Sequence, residues 1–182
     1  MNFVHKYENA FSEDLCDRLV EFFESKTDKA TENEFEGRSD KSIFCNEFQS
    51  FGENFKDEVD SNLRKCYEET ISHYNDIHRD YELVVNDTYK LQKSVAGGGF
   101  TSWHSEQGSS ESTRSRFGVW MVYLNDCDSG YTEFKYIDLK VKPQKGTCLI
   151  WPASYTHCHR AAPDLKEDKY ILTGWFTYYD AV

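Results

Sequence analysis

From its amino terminus the chain shows an apolar stripe at Leu15, Cys16, Leu19, Val20 and Phe23, preceded by Ser12 and the acidic pair Glu13 and Asp14. Steps of three and four residues place those side chains on one helical face, and a serine followed by acids satisfies the free N–H groups of a first turn. A helix running to about Ser25 is predicted. Residues 26–42 (KTDKATENEFEGRSDKS) show no period and read as an exposed loop within a domain. Three- and four-residue steps resume at Phe51, Phe55, Val59, Leu63, Cys66, Tyr67, Ile71 and Tyr74. They predict a second helix of about 25 residues.

From Glu82 onward the pattern changes to short runs rich in Val, Ile, Tyr, Phe, Trp and Thr, broken at Gly97–Gly99, Asn125–Gly130, Pro143–Gly146 and Pro163–Asp168. Such residues suit a pleated, half-buried surface, so strands are predicted over 83–95, 116–124, 132–136, 147–151 and 170–179. Helices first and strands later give an α+β class, with helices packed on one face of an antiparallel sandwich or barrel. One domain over 1–182 is expected, its helical support over 1–80 and its β core over 82–180.

Composition narrows the partners. With 32 acidic against 21 basic residues the net charge is −11, which repels phosphate backbones and makes nucleic acid a poor partner. The opening MNFVHKYENAFSEDL has no apolar run resembling a leader, and no stretch of about 18 apolar residues suggests a membrane span. Six cysteines lie scattered without CxxC spacing, as expected of reduced thiols in a cytoplasmic protein. The pattern says nothing of oligomeric state.

Candidate chemistry begins with His104-Ser105-Glu106, since residues two apart in an extended segment face the same side and can grip one ion. The run Trp151-Pro-Ala-Ser-Tyr-Thr-His-Cys-His159 supplies a further imidazole. Two histidines and one carboxylate that leave positions open suit Fe(II) in an oxygenase. They also suit a catalytic zinc, and a non-enzymatic β-barrel binding module in which the histidines are structural remains a third reading. Lys169, ten residues after His159, adds a cation able to reach the far end of a dicarboxylate.

These segments, GGGFTSWHSE, RFGVWMVYLND, GYTEF, VKPQKGTCLIWPA and HRAAPDLKEDKYILTGW, resemble in order the Fe(II)/2-oxoglutarate dioxygenases, and among them the prolyl 4-hydroxylase-like branch, over roughly Tyr89–Trp175. The resemblance implies a double-stranded β-helix (jelly roll) with the amino-terminal helices on one face. It implies Fe(II) held by His104, Glu106 and His159, because His159, Pro163 and Lys169 keep the family's spacing. His157 then falls to a supporting place near the metal. It further implies 2-oxoglutarate bound by Lys169, Tyr123 and Thr173 with Trp175 as a pocket wall, Arg116 at the substrate mouth, O2 as co-substrate and ascorbate as an auxiliary reductant. The implied reaction hydroxylates a small-molecule, peptide or protein substrate, with a prolyl residue as the branch's own target, and releases succinate and CO2. The chain departs from the branch in carrying Glu106 for the usual aspartate, and Ser94 and Thr101 where tyrosines are common. The polar loop 107–115 (QGSSESTRS), directly after the metal pair, is a candidate lid.

Overall fold

The computed structural model describes residues 2–48, 55–73, 84–85 and 89–178. Strand β1 (His5–Tyr7) leads into helix α1 (Glu13–Ser25), the strands β2 (Thr31–Phe35) and β3 (Arg38–Phe44), and helices α2 (Cys45–Phe48) and α3 (Lys56–Ser72). Then come β4 (Val84–Val85), β5 (Lys90–Ser94), β6 (Gly99–Phe100), the short helix α4 (Glu111–Arg114) and β7 (Arg116–Tyr123). Strands β8 (Thr132–Phe134), β9 (Leu139–Val141) and β10 (Cys148–Pro152) precede a 3-10 turn at Tyr155–His157, and β11 (His159–Ala161) and β12 (Lys169–Thr177) complete the order.

The strands form two antiparallel sheets. The large one runs β1-β10-β7-β12-β5-β3-β2, with β4 on β12 and β6 on β3, and the small one runs β11-β8-β9. Each face of the large sheet has its own apolar layer. On one, α1 presents Leu15, Leu19 and Phe23, and α3 presents Val59 and Leu63, to Leu91, Trp120, Val122, Leu172 and Phe176. On the other, Val119, Met121 and Tyr123 of β7 meet Phe134 and Val141 of the small sheet together with Leu149, Trp151 and Trp175. The period-two alternation of β7 serves both layers at once. The first helix starts as predicted, with the Ser12 hydroxyl accepting the Leu15 N–H at 3.2 Å. Among the described residues no helix is long and apolar enough to cross a membrane.

The amino-terminal half is less helical than its pattern suggests. Most of the loop predicted over 26–42 is a hairpin, in which Phe35 pairs with Arg38 and a two-residue turn ends on Gly37 at φ 78°. That backbone is cheap for glycine, and a Cβ would fall on the Ser102 side chain. The hairpin escaped the pattern because Asp40 and Ser42 are buried polar residues, so no apolar alternation marks them. The second helix spans 17 residues, behind Phe55 at its N-cap, while Phe51 and Tyr74 lie outside the described residues. The strand predicted over 83–95 is two pieces, β4 and β5, and Leu83, residues 86–88 and Tyr179 are likewise outside the description.

Candidate metal centre

Strand pairing assembles the centre. His104 and His159 exchange both main-chain hydrogen bonds, at 3.0 and 2.9 Å, in an isolated antiparallel bridge that ties the segment after β6 to the start of β11. Beyond it the N–H groups of Glu106 and Gln107 donate to the Ala153 carbonyl, at 3.2 and 2.9 Å. The Glu106 carboxylate thereby comes to face both rings, with Oε1 3.5 Å from His104 Nε2 and 3.8 Å from His159 Nε2. One ligand atom from each of the three residues lies within 4.8 Å of the others.

Both imidazoles are held in the tautomer a metal requires. His104 Nδ1 bonds the Ser102 carbonyl and His159 Nδ1 the His157 carbonyl, each at 2.9 Å. A carbonyl only accepts, so each Nδ1 carries a proton and Nε2 is the ring nitrogen left to face the site. Phe100 stacks on His104 at 3.7 Å and 9°, and Trp151 meets His159 edge-on at 4.9 Å.

Glu106 divides its oxygens. Oε1 faces the rings, while Oε2 accepts from Trp175 Nε1 at 2.9 Å and from Arg116 Nη1 at 3.2 Å. Burial by itself would raise this carboxyl, but hydrogen bonding and charge from His104, with His159 and Trp175, hold it down at about 2. His159 is lowered to about 4 by burial and by His104. At neutral pH the pair is a carboxylate and a free imidazole, the donor forms that a divalent first-row metal takes. The residues therefore fit the metal that the sequence implies.

Around the triad is a cavity of about 600 Å³, lined among others by Arg38, Lys90, Arg116, Thr132, Lys169, Thr173 and Trp175. Lys169 is buried, and its Nζ donates to the Gly130 carbonyl at 2.6 Å. Burial lowers its pKa from 10.5 to about 8, because desolvation disfavours the charged form.

The other predicted residues fall into two groups. Thr173 and Trp175 line the cavity as expected, though Trp175 also binds the metal-ligand candidate Glu106. Arg116 lines it too, but its guanidinium is spent on Glu106 and lies 3.6 Å from the Trp175 ring centroid, so it braces the carboxylate besides bordering the mouth. Tyr123 is fully buried behind Thr132, its hydroxyl 2.6 Å from Thr132 Oγ1, and it is Thr132 that lines the cavity. The His157 ring turns to the Asn2 carbonyl and Thr156 Oγ1, both at 2.9 Å, and only its main chain supports the centre. The candidate lid carries α4, and Glu111, Ser112 and Ser115 line the cavity.

Sequence reasoning missed the hairpin side of the cavity. Arg38 and Asp40 pair at 2.6 Å, with Gln92 and Asn33 also donating to Asp40, and Lys90 stands nearby on β5. The available signal was a strand, KLQKS, whose inward positions are polar while Leu91 faces the helices.

Two antiparallel sheets enclose two imidazoles and a carboxylate, with a buried lysine lining the same cavity, in a jelly-roll fold. Residues 89–177 match the sequence profile of the 2OG-Fe(II) oxygenase superfamily. In fold, the chain is similar to a viral collagen prolyl hydroxylase from Paramecium bursaria Chlorella virus-1 in its 2OG complex (TM-score 0.71, 17% identity, 97% of each chain covered). It is also similar to a prolyl-4-hydroxylase from Pseudomonas putida (TM-score 0.74, 15% identity, 97% of this chain and 93% of that one). A third match is a prolyl hydroxylase from Trichoplax adhaerens, in complex with a hypoxia-inducible factor oxygen degradation domain peptide fragment (TM-score 0.71, 15% identity, 98% and 84%). No curated protein matches the chain in sequence. The resemblance to the 2OG-Fe(II) oxygenase superfamily is thus carried by the profile match over residues 89–177, and the likeness to the prolyl hydroxylase structures is one of fold.

Proposed function

We propose that the chain is an Fe(II)- and 2-oxoglutarate-dependent oxygenase that hydroxylates a substrate, with His104, Glu106 and His159 as metal ligands and Lys169 as the anchor of the distal 2-oxoglutarate carboxylate. The observation that carries the reading is the joint placement, around one cavity, of a His/Glu/His set with each ring anchored through Nδ1 and a buried lysine with no ion-pair partner among the described residues. Bound at this set, Fe(II) would supply the oxidative chemistry in which O2 is consumed, 2-oxoglutarate becomes succinate and CO2, and a substrate C–H becomes C–OH.

The chain's own side chains have separable tasks. The carbonyls of Ser102 and His157 hold the imidazole protons away from the metal side. Trp175 and Arg116 pin one oxygen of Glu106 so that the other points inward. Lys169 offers charge, Thr132 lines the same cavity, Thr173 stands opposite Lys90 with its hydroxyl donated to the Trp120 carbonyl, and Val119, Met121 and Trp151 keep part of the wall apolar. The test is succinate formation from 2-oxoglutarate under O2, with Fe(II) and ascorbate, in the presence of candidate substrates beginning with prolyl peptides. Metal-dependent succinate release supports the reading, whereas no release with Fe(II), or zinc-dependent hydrolysis indifferent to 2-oxoglutarate, counts against it.

A further inference from the structure

The cations of the cavity separate when their partners are assigned. Each lining guanidinium has a carboxylate of its own: Arg38 pairs with Asp40 at 2.6 Å, Arg116 with Glu106 at 3.2 Å and Arg160 with Glu133 at 2.9 Å. Neither lining lysine has an ion-pair partner among the described residues. Lys169 bonds only a carbonyl, and the contact of Lys90 is the Trp175 ring, 5.9 Å from its Nζ.

The two lysines stand at different ends of the cavity. Lys169 pairs with Ser94 and Thr173 with Lys90 across β12 and β5, so they are four residues apart along the strands, roughly 13 Å at 3.3 Å per residue. The charges that act on Lys90 belong to Arg38, Asp40, Glu106 and Arg116, whereas those on Lys169 belong to Cys127 and Asp164. Lys90 therefore lies on the Glu106 and Trp175 side.

A buried ammonium without an anion is costly, and like Lys169 it lacks a counter-ion that a ligand can bring. Building on the oxygenase reading, we infer that Lys90 is a second anion anchor, and that the molecule to be hydroxylated is a small free carboxylic acid, of amino-acid size, whose carboxylate docks on Lys90. One unpaired ammonium matches one carboxylate, since the neighbouring guanidiniums are already neutralised. Lys90 is only 9% exposed, a depth suited to a small molecule that enters the cavity whole. The indole of Trp175, stacked with Arg116, provides a flat wall beside the anchor.

The experiment titrates protein loaded with Mn(II) and 2-oxoglutarate, by calorimetry, with a panel of free amino, hydroxy and dicarboxylic acids, their carboxamides, and end-blocked peptides containing Pro, Asp or Glu. The native chain is compared with Lys90→Met, Lys90→Arg and Lys169→Met, with thermal unfolding as the check on folding. We expect at least one free acid to bind about ten-fold or more tightly than its amide, and Lys90→Met to abolish that preference. Lys90→Arg should retain it in part, and Lys169→Met should weaken 2-oxoglutarate more than Lys90→Met does. The proposal is overturned if no acid in the panel binds, if acids and amides bind alike, if blocked peptides bind best, or if the preference survives in Lys90→Met. Failure of the oxygenase reading has its own signature in the same titrations, namely no Mn(II)-dependent binding of 2-oxoglutarate by the native chain.

Discussion

Glu106 is the side chain on which most contacts converge, and its surroundings separate ligation from support. In Glu106→Gln the Trp175 bond can persist while the anionic donor is lost, so Mn(II) affinity should fall by at least about 100-fold in a chain that still folds. Equilibrium dialysis beside circular dichroism checks this. Arg116→Ala should raise the Mn(II) Kd about 10- to 100-fold, because the guanidinium orients a ligand. A change confined to substrate binding, with metal affinity intact, would return Arg116 to the mouth alone. Lys169 carries the pH dependence. Its pKa is lowered from 10.5 to about 8 by burial, and the charged form is the one that holds a carboxylate. Above pH 8 binding must therefore take up a proton, and the 2-oxoglutarate Kd should rise toward pH 10 by up to about ten-fold per pH unit. Calorimetry on Lys169→Met should show weak binding without that slope.

At the scale of elements, strands rich in apolar residues were readable even where they border the cavity, and the polar hairpin of β2 and β3 was not. β7 and β10 are apolar nearly throughout and were expected close to where they stand. The hairpin of β2 and β3 holds Asn33, Asp40 and Ser42 in a polar network with Arg38 and Gln92, so the rule of apolar alternation failed where buried polar groups bond one another. That His104 and Glu106 share a side was legible because i and i+2 spacing is local, and His159 and Lys169, which line the same cavity, were singled out by the spacing of one short segment that resembles the family. Resemblance set Tyr123 at the co-substrate and His157 in a supporting place near the metal; in the structure Thr132 stands between Tyr123 and the cavity, and it is the main-chain carbonyl of His157 that meets His159 Nδ1. β12 shows how tightly these elements meet. A Cβ on Gly174 would lie 2.6 Å from both Trp120 Cζ2 and Tyr89 Cβ, inside a packed aromatic pair. Gly174→Ala should destabilise the protein by about 1–3 kcal/mol in urea unfolding, with the unfolding slope unchanged.

For the whole molecule, charge distribution is the organising feature. A chain of net charge −11 places Lys90 and Lys169 in one cavity whose guanidiniums, Arg38, Arg116 and Arg160, are paired with carboxylates, and walls of low dielectric strengthen the pull of the two lysines on small anions. Helices α1 and α3 support the large sheet from one side, and the candidate metal ligands and the cavity lie on the other. The measurement that reaches the central claim most directly is a crystal structure of the chain with Mn(II) and 2-oxoglutarate, phased to show the anomalous signal. One peak is expected, bounded by His104 Nε2, Glu106 Oε1 and His159 Nε2, with a carboxylate of the co-substrate on Lys169 Nζ. A peak elsewhere, a Glu106 turned out of the site, or a 2-oxoglutarate that leaves Lys169 untouched would contradict it.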